Sequence, residues 1–410
     1  RARTWRVLGR QDAALADYEA ALRRIRQQQE SASEASRNIE FLDVAAQTID
    51  ETIDLHLDRG EIAEAFSVAD RARARSGAGY RTAEVPDGTA VLEYVILPDS
   101  LAVFCVTRGE IAVARLPVSR AALEARVASF VRKIQTRQEL SGDAKALHAL
   151  LIAPVASRIA AARELVIVPD RKLNVLPLAA LHDGTRYLIE TYAIRVAPSL
   201  AAAAPPPTAN RQPPTAAVVI ADPASARAPR LQWSRGEADA IAAIHGATVI
   251  SGANATRARV VEAMASSALV HYAGHANSDI ASYGALLLAP AADDSDLLTA
   301  SEIARLELRA RPLVVLSACG TLRGETTHVA GMPSLARAFL DAGASTVVGT
   351  LWEVDDDLAS ELFRRFHEHL RAGEVPAGAL RAAQREMLQT SEPRRSHPSS
   401  WSAVEVLSNL

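Results

Sequence analysis

The chain has 410 residues and a formal net charge of −3, from 45 Lys and Arg against 48 Asp and Glu, and 49% of it is hydrophobic. That near-balance argues against a general nucleic-acid or anionic-membrane binder, and no apolar run approaches the roughly 20 residues of a membrane span. Two cysteines cannot build a disulfide framework, so the cytoplasm is the default compartment. With aromatics at only 4%, cores must be filled by Ala, Leu and Val, and the length leaves room for two or three domains. No secretory signal is visible. The chain opens at Arg1, partway into what reads as a repeat, and is expected to be a fragment of a longer protein.

Residues 1–82 read as helices with a cryptic repeat. Gly9, Ala14, Tyr18 and Ala21 have the spacing of the second helix of a tetratricopeptide repeat, where small residues let paired helices approach. The spacing returns 51 residues later at Gly60, Ala65, Ala69 and Ala72, so the intervening helices must be long. A plain helical hairpin capping the next domain is the simpler alternative. Either way the segment should cover a face of the neighbouring domain, and a repeat would add a partner-binding surface.

From Thr89 the pattern turns to strands: Ala90 to Leu97, a Pro98-Asp99-Ser100 turn, Leu101 to Thr107, then Glu110 to Val118. Two amphipathic helices are expected over Ser119 to Leu140 and Asp143 to Ala162, with strands after them at Glu164 to Asp170 and Tyr187 to Pro198. The thiol of this half, Cys105, lies in mid-strand and reads as core. Ala201 to Thr215 is the clearest linker, its prolines favouring extended chain. Strand Ala217 to Asp222 opens a second α/β half. This half continues with helices near Arg235 to Ile244 and Thr256 to Ala265, a strand at Thr248 to Ile250, a helix from Pro333 to Ala342, the strand Ser345 to Trp352 and two C-terminal helices. Such alternation calls for a parallel sheet with helices on both faces.

Two strands of this half carry the candidate chemistry. Leu313 to Leu316 is continuously apolar, as a strand buried on both faces should be, and it runs into Ser317-Ala318-Cys319-Gly320. Cys319 is thus expected at a strand's carboxyl tip, where open α/β sheets bind ligands. Ala268 to Tyr272 likewise runs into Gly274 and His275, 44 residues before the cysteine. Adjacent parallel strands would set imidazole and thiol side by side; a buried cysteine beside a core histidine is the simpler alternative. His271, two pleats before the tip, reads as a core or supporting residue. HExxH, paired-cysteine, GxxxxGK[ST] and GxSxG motifs are missing, so neither metal nor cofactor is expected.

AGHA (Ala273 to Ala276), LTASEIARLEL (Leu298 to Leu308), LVVLSACGT (Leu313 to Thr321), the segment Gly331 to Asp356 and HPSSW (His397 to Trp401), in this order, together resemble the CHAT-domain peptidases. These are bacterial relatives of separase and caspases, often fused to tetratricopeptide repeats. The resemblance implies an α/β, caspase-like fold: a helical repeat segment (1–82), a pseudo-caspase half (83–204), a Pro-rich linker (205–215) and an active half (216–410). It also implies a cysteine endopeptidase acting on protein substrates through His275 and Cys319, in the caspase order of histidine before cysteine. Backbone N–H groups of Cys319 and Ala276 are the candidate oxyanion donors; the family usually has glycine where this chain has Ala276, which narrows the torsions open to that peptide. In separase-like relatives an acidic residue beyond the tryptophan of LWEVDDD binds a basic P1 side chain. Asp356 is the best match here, Asp355 the second, with Trp352 as an apolar wall and Asp279 a weaker candidate. These aspartates also suit the start of a helix near Leu358. Near the cleft, Arg323 is the basic residue that would instead receive an acidic P1. No third catalytic member is evident. Regulation is expected through a partner or ligand on the helical repeats, with the loop Thr321 to Gly331 as the responsive element. A catalytically inactive scaffold that binds partners is the alternative.

Overall fold

The computed structural model describes residues 1–31, 39–73, 82–200, 216–277, 284–291, 295–322 and 334–408. The linker Ala201 to Thr215, Asp279, Arg323 and most of the loop Thr321 to Gly331 lie outside the described residues.

The amino-terminal segment is two helical hairpins, α1 (Ala2–Val7) with α2 (Gln11–Ser31) and α3 (Ile39–Asp58) with α4 (Ile62–Arg73). Gly9 and Gly60 occupy the two turns at φ 72° and 73°, a left-handed conformation that glycine adopts without a Cβ penalty. The repeat read from the sequence is therefore a repeat of turn geometry, and α2 and α3 are long, 21 and 20 residues. Ala14 and Ala65 are fully buried, as close helix approach requires.

Among the described residues eleven strands form one sheet, in the order β3-β2-β1-β4-β5-β14-β13-β12-β8-β6-β7. The first five are β1 (Thr89–Ile96), β2 (Leu101–Thr107), β3 (Glu110–Leu116), β4 (Glu164–Val168) and β5 (Ala193–Val196). The rest are β6 (Ala217–Pro223), β7 (Thr248–Gly252), β8 (Leu269–Ala273), β12 (Leu313–Ser317), β13 (Thr346–Thr350) and β14 (Val404–Ser408). A separate three-stranded sheet is built from β9 (Ala276–Asn277), β10 (Ala285–Leu287) and β11 (Leu297–Thr299). β14 is missing from the sequence-based expectation, which closes the chain with helices. It pairs antiparallel with β13 and parallel with β5, so it welds the two halves into one sheet. Its alternation, buried at Val404, Val406 and Ser408 and half-buried between, spans five residues and is easily lost beside a helical pattern.

Helices cover both faces. α5 (Arg120–Gln135), α6 (Ser141–Leu151) and the one-turn α7 (Ala156–Ile159) and α8 (Leu188–Thr191) serve the first half. The expected helix Asp143 to Ala162 breaks at Pro154, whose ring cannot continue α6. In the second half stand α9 (Ser234–His245), α10 (Arg257–Ser266), the one-turn α11 (Ala300–Ile303), α12 (Leu335–Asp341), α13 (Asp356–Arg371) and α14 (Pro376–Leu388), with α15 (Pro393–Ser396) and α16 (Pro398–Trp401) after them. α13 buries Leu358, Leu362, Phe363 and Phe366, one stripe at helical spacing. The amino-terminal hairpins pack Leu22, Ile49, Phe66 and Ala69 against Val91, Val95, Phe104 and Val166, with the rings of Phe66 and Phe104 5.5 Å apart edge to face. Cys105 is buried in the main core, where burial pushes its thiol up to about 11.

Candidate active site

β8 and β12 are parallel neighbours in the middle of the second half, with Leu313 opposite Leu269 and Ser317 opposite Ala273. Gly274 N–H continues the pairing to Ser317 O at 3.2 Å. His275 and Cys319 therefore stand at equal offsets past two strand ends, which lie about 4.8 Å apart in such a sheet. Both are half-buried.

Each turn is fixed by specific contacts. Gly320 comes directly after the cysteine at φ 62°, and its N–H donates to Thr350 Oγ1 at 2.9 Å. Thr350 Oγ1 donates in turn to Ala318 O at 2.5 Å, while Thr350 N–H donates to Thr321 Oγ1 at 3.0 Å. The Cys319 turn is thus clipped to the end of β13. A Cβ at Gly349 would lie 2.7 Å from Thr321 Oγ1, so that glycine makes room for the clip. On the histidine side, a Cβ at Gly274 would meet the Tyr272 ring at 2.7 Å, and Tyr272 OH lies 2.7 Å from the carbonyl oxygens of both His275 and Leu287.

His275 Nε2 lies 2.8 Å from Pro229 O. A carbonyl only accepts, so Nε2 carries the proton and Nδ1 of the neutral ring is the bare, basic nitrogen. The sequence does not reveal this orienting carbonyl, because any residue type supplies one. The rung from Leu287 N–H goes to His275 O at 3.0 Å, so Ala276, opposite Leu286, forms a non-hydrogen-bonded pair. Its N–H is not spent in the β9–β10 ladder and faces away from β10.

Cys319 is pushed up to about 11 by burial first, then by the negative charges of Glu353 and Asp356. The resting sulfur is thus a protonated thiol. Glu353, exposed on the loop after β13, is a charged neighbour that the sequence reading does not select. Asp356 begins α13, and its Oδ2 accepts from Trp233 N–H at 2.9 Å, the residue before α9. Burial raises its pKa, with Glu237 and Asp357 adding to the rise and Trp233 N–H and His275 opposing it. Asp355, at the N-cap of α13, makes no cap hydrogen bond. It is held by Arg137 at 2.6 Å and by Arg394 at 2.8 Å. Arg394 also grips Asp357. Trp352 is 4% exposed and belongs to the main core. Among the described residues no group of three or more His, Cys, Asp or Glu is arranged to hold a metal ion, and no helix is long and apolar enough to cross a membrane.

A family model described as the CHAT domain matches residues 142–409. Tetratricopeptide repeat protein 28 of Homo sapiens is 26% identical over 325 residues, covering 64% of this chain and 13% of that protein. The Mus musculus protein of the same name is 27% identical over the same length and shares. The chain thus spans 13% of the length of the curated relatives it matches. Among solved structures, the Saccharomyces cerevisiae separase–securin complex at 2.6 Å is similar with a TM-score of 0.60, over 98% of this chain and 38% of that one. A 3.0 Å structure of that complex gives 0.56, over 97% and 37%. At 10% identity this likeness shows a shared fold, caspase-like α/β with helices in front, as the sequence motifs lead one to expect.

Proposed function

Because the chain belongs to the CHAT-domain family, we propose that it is a regulated cysteine endopeptidase in which Cys319 is the nucleophile and His275 the general base. The observation that carries this reading is the register of β8 and β12, which sets the two residues at equal offsets past paired strand ends. His275 Nδ1, bare because Nε2–H is held by Pro229 O, takes the Cys319 proton as the sulfur attacks the scissile carbonyl carbon. The carbonyl oxygen becomes an oxyanion received by the N–H groups of Ala276 and Cys319. His275 returns the proton to the leaving amine, and water then hydrolyses the thioester with His275 again as base.

Substrates are proteins cleaved after a basic residue, arginine above lysine. Asp356 is the pocket carboxylate; Asp355, the second candidate, is already engaged by Arg137 and Arg394, and Trp352 backs the pocket. A guanidinium there is held directionally and offsets the negative charges that add to the effect of burial in raising the Cys319 thiol, so a cationic P1 side chain binds and activates together. An activating protein partner docks on the helical segment, which carries an open groove of about 560 Å³ lined by Leu22, Ile25, Ile49, His56, Val68 and Arg71 among others. One solved neighbour is itself a protein complex, of separase with securin, which supports a protein partner for this chain.

The second reading, a catalytically inactive CHAT scaffold, draws on the raised thiol alone. One set of assays separates the two. Cys319→Ala and His275→Ala each remove nearly all cleavage of arginine peptides, and the double variant is little worse because the pair acts as a unit. Full activity in Cys319→Ala ends the peptidase reading. Aspartate at P1 in a peptide library removes the pocket assignment while leaving the pair intact.

A further inference from the structure

The sheet face under α9 and α13 holds a polar line that the proposed chemistry does not use. His271 lies in mid-β8, fully buried, with Val219 and Val315 opposite it on the flanking strands. Its Nε2 is 2.9 Å from Glu237 Oε1, and its Nδ1 is 3.1 Å from His367 Nε2. His367 Nδ1 is in turn 3.0 Å from His245 Nε2. The Glu237 side chain is 1% exposed. Four groups from α9, β8 and α13 are thus strung together inside the protein.

Donor rules fix where the protons sit. An ionised carboxylate only accepts and a neutral imidazole carries one N–H, so Glu237 requires His271 in the Nε2–H form. The bare His271 Nδ1 requires Nε2–H on His367, and the same step requires Nε2–H on His245. The line ends at His245 Nδ1, a bare acceptor, and that nitrogen is buried without a partner. One proton added there lets each N–H move one place along. The outcome is a Glu237 carboxylic acid donating to His271 Nε2, with all three rings in the Nδ1–H form. Protons balance, and neither state contains an imidazolium. Burial pushes His367 well down and His245 to about 4, in keeping with rings that stay neutral.

The charged surroundings are few. From α9 come Glu237 and His245; from α13 come His367, Arg371, which lowers His245, and Asp356, which feels Glu237. β6 and β12 contribute the two valines, and the rings of Phe363 and Phe366 pack against His271 and His367. α9 is also the helix whose entry carries the Pro229 carbonyl on His275 and the Trp233 amide on Asp356, and whose Ser234 Oγ donates to Ala273 O at the end of β8.

We propose that the line Glu237–His271–His367–His245 is a one-proton switch, and that Glu237, His271 and His367 are positioning residues that hold α9 and α13 against β8 and so set His275 and Asp356. This rests on the roles given to Cys319, His275 and Asp356 above. Imidazole 15N–1H correlation spectra of the full chain, taken from about pH 8 to about pH 5 and assigned with His245→Gln, His271→Gln and His367→Gln, read the tautomers directly. All three rings are expected as Nε2–H forms at the alkaline end, converting together to Nδ1–H with one midpoint, and Glu237→Gln abolishes the joint conversion. Alkylation of Cys319 by iodoacetamide over the same range shows an inflection at that midpoint, lost in Glu237→Gln. Rings that titrate separately, that show the imidazolium pattern, or that start as mixed tautomers overturn the switch. An inflection that survives in Glu237→Gln overturns the positioning role. Should Glu237→Gln not fold, the parent spectra and the alkylation profile of His367→Gln decide in its place. The spectra need no peptide cleavage, so an inactive enzyme with concerted tautomers loses the peptidase reading alone, and an active one with independent rings loses the switch alone.

Discussion

At Cys319 the local fields and the proposed chemistry pull in opposite directions. Burial and the charges of Glu353 and Asp356 push the thiol up, whereas nucleophilic attack needs the thiolate. Removing one of those charges must lower the thiol's pKa, since like charge disfavours the anion. Asp356→Asn is therefore predicted to speed iodoacetamide alkylation of Cys319 at neutral pH by roughly three- to tenfold. In the same variant, kcat/KM for arginine peptides is predicted to fall by at least about tenfold, because the proposed pocket carboxylate is gone. Faster alkylation with slower turnover is the signature to look for, by pH-dependent mass labelling beside peptide kinetics. Slower alkylation in Asp356→Asn would mean that the carboxylate does not act on the sulfur through its charge.

The elements around the site are held by tips rather than by lengths. β12 and β13 pair over three described rungs, and beyond them the Thr350 and Thr321 hydroxyls take over, tying Gly320 and Ala318 to the end of β13. Thr350→Val keeps the shape but leaves the buried Gly320 N–H and Ala318 C=O without that partner. It should lower stability by about 2 kcal/mol or more, read as a lower urea midpoint at unchanged slope, and it should slow peptide cleavage more than a distant change of equal stability cost. Gly320→Ala is predicted to cost about 1–2 kcal/mol through the left-handed turn that it must adopt, measured the same way.

Across the described residues the eleven-stranded sheet joins the two halves, and the helical hairpins pack on its face as a separate layer. Phe66 packs on Phe104 within the cluster that covers the outer face of β1, β2 and β4. Phe66→Ala should therefore loosen the hairpins by about 3 kcal/mol, seen as early amide exchange confined to α3 and α4 while β12 stays protected. On β14, Glu405 stands opposite Gly349 of β13, the strand beside the one that leads to Cys319, and burial raises its carboxyl from 4.5 to about 8. A carboxyl raised in the folded state lends stability that is fully present below the unfolded value and is lost as pH climbs through the folded one. Glu405→Gln should thus match the parent near pH 5 and exceed it in thermal midpoint above pH 8. Parallel pH profiles of the two proteins would remove Glu405 as a source of the dependence.

Sequence alone was enough for whatever is local or carried by pattern. Largely apolar runs ending in small residues announce β8 and β12 and put His275 and Cys319 just past them, and Gly9 and Gly60 mark the hairpin turns by a backbone need that glycine meets. Ordered short motifs identify the family, since turns at a site restrict residue type strongly. Features that depend on partners far apart in the chain waited for the tertiary structure. The Pro229 carbonyl on His275 has no side-chain signature. Asp355 and Asp356 look alike in sequence and are told apart by Arg137 and Arg394 on one side and the Trp233 amide on the other. β14 is a strand because β13 and β5 flank it, and Glu237, His245, His271 and His367 become one line only when α9, α13 and β8 pack. Hydrogen bonds reach only a few ångströms and screened charges about 10 Å, so their meaning is set by which distant residues folding brings within reach.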